Sequence, residues 1–156
     1  MKYDSAQKYL DIYVENPKNV SMVILKSKKS MIGERDQISG RAILWTSTDG
    51  KKFMDRIYVN NTPDEELFKQ YAIKNGYLYK NKQSYDIHEL MFNGNILSST
   101  VIKVKLLSKE YKYYPYMDTM MFYNPNTGIL SNSDEDLTAL NKLRKTDGEY
   151  IRINRN

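Results

Sequence analysis

The chain has 156 residues, 40% of them hydrophobic and 28% charged, with a formal net charge of +5, one histidine and no cysteine. A chain of this size and composition is expected to form a single domain over residues 1–156 with its own core, which argues against disorder. The missing thiols exclude disulfides, thiolate metal sites and Cys nucleophiles, and the lone His88 excludes a His-rich zinc site and leaves a Ser-His-Asp triad dependent on one residue.

No run reaches the roughly 18 apolar residues of a membrane span, and the first residues lack the apolar stretch of a secretory signal. A cytosolic protein with no membrane partner is therefore expected. The positive balance favours anionic partners such as nucleic acid. Lys and Asn are also the residues that an AT-rich genome enriches, so part of that balance has a mutational source.

In chain order, residues 5–15 read as a helix: Ser5 can cap it, Tyr9, Leu10, Tyr13 and Val14 recur at helical spacing, and Asn16-Pro17 stops it. The VSMVILK run at 20–26 reads as a central strand, and residues 27–36 as a loop. Residues 38–47 and 51–60 form a hairpin over Asp49-Gly50, which supplies the positive φ of a tight turn. Thr62-Pro63-Asp64-Glu65 opens a second helix with a cap, Pro at the first position and Glu65 placed for a capping box. Its apolar stripe is Leu67, Phe68, Tyr71 and Ala72, and Asn75-Gly76 ends it.

Residues 77–80 read as a short strand, and residues 85–92 as another that turns at Asn93-Gly94. The VIKVKLL run at 101–107 alternates apolar and basic residues, as a strand with one wet face does. Residues 116–123 and 129–131 make a further hairpin, residues 134–147 have the pattern of a short helix through Leu137, Leu140 and Leu143, and residues 150–153 that of an edge strand. The order predicts an α+β fold: a mainly antiparallel sheet with an N-terminal helix and a helix after the third strand.

Two carboxylates interrupt apolar strand sequence, Asp55 and Asp118, each flanked by aromatic, Met and branched neighbours. A buried carboxylate must be paired, hydrogen-bonded or protonated, because leaving it bare costs several kcal/mol or more. They are the candidate catalytic residues. Asp55 reads as a general base or orienting carboxylate with a raised pKa, or as a structural acceptor of backbone amides or a loop Lys. By the period of two it shares a face with Phe53, Ile57 and Val59, while Arg56 turns away with Met54 and Tyr58. Asp118 reads in the same two ways, the structural one being a turn after Pro115.

Lys112, Tyr113, Tyr114 and Tyr116 belong to a run that interleaves basic and aromatic residues, the logic of a single-strand nucleic-acid platform or simply of an exposed strand edge. Arg41 and Arg56 add guanidinium groups on the paired strands. Trp45 reads as core or interface rim, and His88 as a strand residue rather than a ligand.

The GRAILW run at 40–45, FMDRIY at 53–58, FKQYA at 68–72 with Asn75-Gly76, and YPYMDT at 114–119 with GILSN at 128–132 resemble a family of bacteriophage-encoded proteins. The likeness covers residues 14–132. That family has no settled biochemical activity, so the resemblance implies a phage origin and a host cytoplasm rather than a reaction. Some members carry a longer, Cys-containing N-terminal portion with no counterpart here, so a role housed there is not expected.

Residues 20–79 also follow an order similar to the centre of N-acetyltransferase domains, three antiparallel strands, a helix and a strand. The junction at 59–66, where that family carries a glycine-rich pyrophosphate loop, has no glycine and three acids that would repel a pyrophosphate. No cofactor and no metal are expected. The function expected is that of a non-enzymatic accessory protein binding a host protein or nucleic acid during takeover or counter-defence. The alternatives are an enzyme on an acyltransferase-like core, using Asp55 and Asp118, and a virion component.

Overall fold

A computed structural model describes residues 10–27, 37–83, 89–97 and 100–133. The expected helix at 134–147 and edge strand at 150–153 lie outside the described residues, as do His88 and the Ser5 cap. What is described of the first helix is α1 (Asp11–Val14), with Ile12 buried.

Strands β1 (Val20–Ser27), β2 (Gln37–Thr46) and β3 (Lys52–Val59) form an antiparallel meander. Helix α2 (Asp64–Asn75) then carries the chain across the sheet so that β4 (Leu78–Lys80) pairs parallel to β3. Strands β5 (Leu90–Phe92) and β6 (Asn95–Leu97) complete a six-stranded sheet in the order β1-β2-β3-β4-β5-β6. A second, antiparallel sheet of β7 (Lys103–Lys105), β8 (Phe122–Asn124) and β9 (Ile129–Ser131) has the order β7-β9-β8. The architecture is α+β, as expected, with one parallel pair and with the later strands divided between two sheets.

Apolar side chains lie on both faces of the larger sheet. On one, Ala42, Leu44, Met54, Ile57 and Tyr79 meet Phe68 and Ala72 of α2. Gly40 makes this approach possible, since a Cβ there would stand 2.8 Å from the Phe68 ring and 2.9 Å from Val59. On the other face, Ile43, Trp45, Phe53, Leu78 and Leu90 join a core with Val104, Tyr123 and Leu130 of the smaller sheet and with Tyr111, Tyr114 and Met117.

Local expectations are modified in five places. The helix α2 starts without a side-chain cap: its first turn is closed by backbone bonds from Glu65 to Thr62 (3.1 Å) and Glu66 to Pro63 (3.3 Å), while the Glu65 carboxylate turns to Lys69 at 3.7 Å. Of its predicted stripe only Phe68 and Ala72 are buried; Leu67 and Tyr71 line a groove against β1. Among the described strands β1 lies at the edge of the sheet, not at its centre, with Met22 55% exposed. The predicted strand at 116–123 shrinks to β8, because residues 106–121 cross over the sheet irregularly and Tyr116 adopts φ 61°. The alternation in β3 is broken by a bulge: Ala42 pairs with Ile57 but Leu44 with Met54, so Asp55 and Arg56 together oppose Ile43.

Candidate functional site

The bulge decides what β3 presents. One extra residue shifts the pleat, so that Ile57 joins Met54 under α2 while Asp55, Arg56 and Tyr58 reach the opposite side. The strict period of two predicted the reverse for Arg56 and Tyr58. Local polar groups hold the bulge. The Arg56 amide donates to its neighbour Asp55 Oδ1 at 2.7 Å, and the Ile57 amide donates to Gln83 Oε1 at 2.7 Å.

Asp55 is 2% exposed. Besides the bulge amide it accepts a 3.3 Å hydrogen bond from Trp45 Nε1. The parallel register sets Phe53 beside Leu78 and Met54 beside Tyr79, and so brings Lys80, itself 1% exposed, alongside Asp55. Burial raises the Asp55 pKa, and the Asp118 charge adds to that; the Lys80 ammonium, the Arg56 amide and the Thr119 hydroxyl pull it back.

Asp118 is fully buried and comes from the irregular crossing rather than from a strand. Its Oδ2 accepts the Tyr58 hydroxyl at 2.9 Å and faces Arg56 Nη1 at 3.5 Å, the outer limit of a hydrogen bond. Among the described residues Asp118 Oδ1 and Thr119 Oγ1 are buried without a partner at full hydrogen-bond geometry, although the Thr119 hydroxyl lies near enough to Asp55 to favour its charge. The two acids singled out in the sequence thus meet in one polar cluster.

Tyr13 of α1 closes the cluster. Its ring packs on Trp45 at 5.7 Å, its hydroxyl donates to the Pro115 carbonyl, and its pKa is raised by burial and then by the Asp55 charge. Tyr58 is likewise raised, by burial first and by Asp118 second. Lys80, Thr119, Tyr13 and Gln83 are site residues that the sequence pattern alone does not single out. The signal for Lys80 was its place two positions after Leu78 on the same strand face, but only the β3–β4 pairing shows what that face meets.

Above the acids lies a cationic and aromatic surface. Tyr58 and Tyr116 meet edge to face, 5.6 Å between centroids at 74°. The exposed Arg41 guanidinium lies over both rings, 5.2 Å from Tyr58 and 5.8 Å from Tyr116, and Arg56 lies 5.1 Å from Tyr58. Within the described residues Arg41 forms no ion pair. A positive φ is costly for a bulky aromatic residue, so Tyr116 is held there by these contacts and by the Tyr13 bond to Pro115.

The basic-aromatic run separates by position. Tyr114 is core, 3% exposed and packed with Tyr111 and Tyr123, so it offers no ring to a ligand. Tyr113 is half-buried with the exposed Lys112 ammonium 5.7 Å over its ring. The structure brings Asp55, Asp118, Arg41, Arg56 and Tyr116 together.

Chemically, the acids are committed to the protein itself: Asp55 to the bulge and Trp45, Asp118 to Tyr58 and Arg56. Two grooves of the described surface, about 460 Å³ between β1 and α2 and about 530 Å³ beside Leu78 and Phe92, are lined by none of these residues. Among the described residues no group of three or more His, Cys, Asp or Glu is placed to hold a metal, and no helix is long and apolar enough to cross a membrane. Together the fold and the cluster define an α+β protein with a closed acid network beneath an Arg-Tyr surface. No family model, curated protein or solved structure matches the chain.

Proposed function

We propose that this is a phage-encoded accessory protein of the host cytoplasm that acts by binding a host macromolecule, through the surface formed by Arg41, Arg56, Tyr58 and Tyr116. The observation that carries the reading is the Arg41 guanidinium, laid over two tyrosines and without an ion pair among the described residues, above acids whose bonds run to the protein itself. The resemblance to phage proteins in the GRAILW, FMDRIY and YPYMDT runs supplies the setting, and those runs contain Arg41, Tyr58 and Tyr116. Affinity capture from host lysate, comparing the native protein with an Arg41→Ala variant of unchanged circular dichroism, is the test. A host macromolecule retained by the first and lost by the second is expected; equal retention, or none, overturns the reading.

An enzymatic reading on an acyltransferase-like core has one observation in its favour, a buried Asp55 of raised pKa beside Lys80. A thermal-shift screen with acyl-CoA separates the two readings, because a ligand at 100 times its Kd stabilises the fold by about 2.7 kcal/mol. The binding reading expects no shift with it.

A further inference from the structure

We infer that Arg41 is a preformed fork for the phosphate backbone of single-stranded nucleic acid, with Lys112 and Tyr113 as the next contact along the strand. This rests on the reading that the Arg-Tyr surface binds a host macromolecule, and it names that partner.

Arg41 is exposed, yet its guanidinium lies within 5.2 and 5.8 Å of two ring centroids. Among the described residues the guanidinium makes no hydrogen bond, so the two rings confine the group without consuming its donors. The rings are themselves immobilised, Tyr58 by its hydroxyl on Asp118 and Tyr116 by the edge-to-face contact. Side-chain entropy that a free arginine would lose on binding is thus already lost in the unbound protein. A fixed planar fork matches a doubly accepting oxyanion, phosphate or carboxylate, in a way that an ammonium does not.

The choice between those oxyanions follows from what surrounds the fork. Arg56 sets a second guanidinium over the same Tyr58 ring. Lys112 over Tyr113 repeats the cation-on-ring arrangement three residues before Tyr116, so the Cα atoms of Tyr113 and Tyr116 are no more than roughly 11 Å apart. A single strand offers phosphates in series with bases between them, and both halves of such a series find counterparts here. A duplex presents phosphates without unstacked bases; an acidic peptide presents carboxylates without the planar faces.

The experiment measures binding of the full-length protein to fluorescein-labelled 15-nucleotide oligo(dT) and oligo(U), to a duplex of equal length and to poly-glutamate, between 50 and 200 mM salt. The single strands are expected to bind more tightly than the duplex and poly-glutamate. Arg41→Lys, which keeps the charge and loses the fork, is expected to weaken binding by about tenfold, as Arg41→Ala does. Lys112→Ala is expected to reduce the salt slope by about one. Native affinity in Arg41→Lys overturns the fork. Equal or tighter duplex binding overturns the choice of a single strand. Binding of poly-glutamate in place of nucleic acid overturns this inference while the wider reading stands, and loss of lysate capture as well would remove both.

Discussion

Asp118 shows how much a single buried carboxylate can be made to hold. Its Oδ2 gathers the Tyr58 hydroxyl and the Arg56 guanidinium from a strand some sixty residues upstream. Removing it leaves those two groups without their acceptor, at a cost larger than the pair's net contribution to stability. Asp118→Ala is therefore expected to lower unfolding free energy by about 2–3 kcal/mol, less than a fully buried pair because Arg56 is 28% exposed and water replaces part of the loss. Tyr58→Phe is expected to cost about 1 kcal/mol. Urea denaturation measures both, and a change below about 0.5 kcal/mol for Asp118→Ala would show that the contact does not hold the crossing segment down.

Asp55 carries a pH signature of definite sign. Its folded pKa is raised above the ordinary 3.8, so the folded state binds this proton more tightly than the unfolded chain does. The contribution of Asp55 is fully present below 3.8 and is lost as pH rises through the raised value. Unfolding free energy measured from pH 3.5 upward is expected to contain a falling component that Asp55→Asn lacks. A variant curve parallel to the native one across that range would contradict the assignment. Both acids were legible in the sequence because charge within an apolar run must be compensated somewhere. Their compensators were not legible, because Lys80, Tyr58 and Tyr13 reach them only through strand pairing and long-range closure.

Among the elements, those set by local chemistry were read well, the uncapped start of α2 excepted, and those set by neighbours were not. Asn93 and Gly94, with φ 53° and 84°, form the expected hairpin turn, and Ile102, Val104 and Leu106 are buried while Lys103 and Lys105 are exposed, as the alternation required. In contrast, the edge position of β1 and the bulge in β3 depend on which strand lies alongside, which the VSMVILK and FMDRIY runs do not encode by themselves. The β8–β9 turn supplies the test at this scale. Gly128 has φ 75°, and a Cβ there would stand 2.4 Å from the Leu106 carbonyl, a backbone atom that cannot swing aside. Gly128→Ala is expected to destabilise by about 1–3 kcal/mol in thermal or urea unfolding. Asn126→Ala, in the exposed part of the same turn, is expected to cost less.

Over the whole molecule, the smaller sheet and the irregular crossing cover one face of the larger sheet. Trp45, Phe53, Leu78 and Leu90 share one core with Val104, Tyr111, Tyr114, Met117, Tyr123 and Leu130, all supplied by residues after 97, and with Ile12 and Tyr13 of α1. A fragment ending at residue 97 would contain every strand of the larger sheet and still present that face to water. It is expected to bind the dye ANS and to lack the near-ultraviolet circular dichroism of fixed aromatic side chains, whereas the full chain is expected to show the opposite. A well-ordered, dye-silent fragment would mean that the larger sheet needs no cover.

The same dependence acts while the chain is being made. At roughly 5–20 residues per second, the ribosome needs about 2–7 s to pass from the last strand of the larger sheet, which ends at Leu97, to the last strand of the smaller one, which ends at Ser131. Through that interval the nascent polypeptide carries an adhesive flank into a crowded cell, so its yield should track the supply of holdase chaperones more closely than its melting temperature.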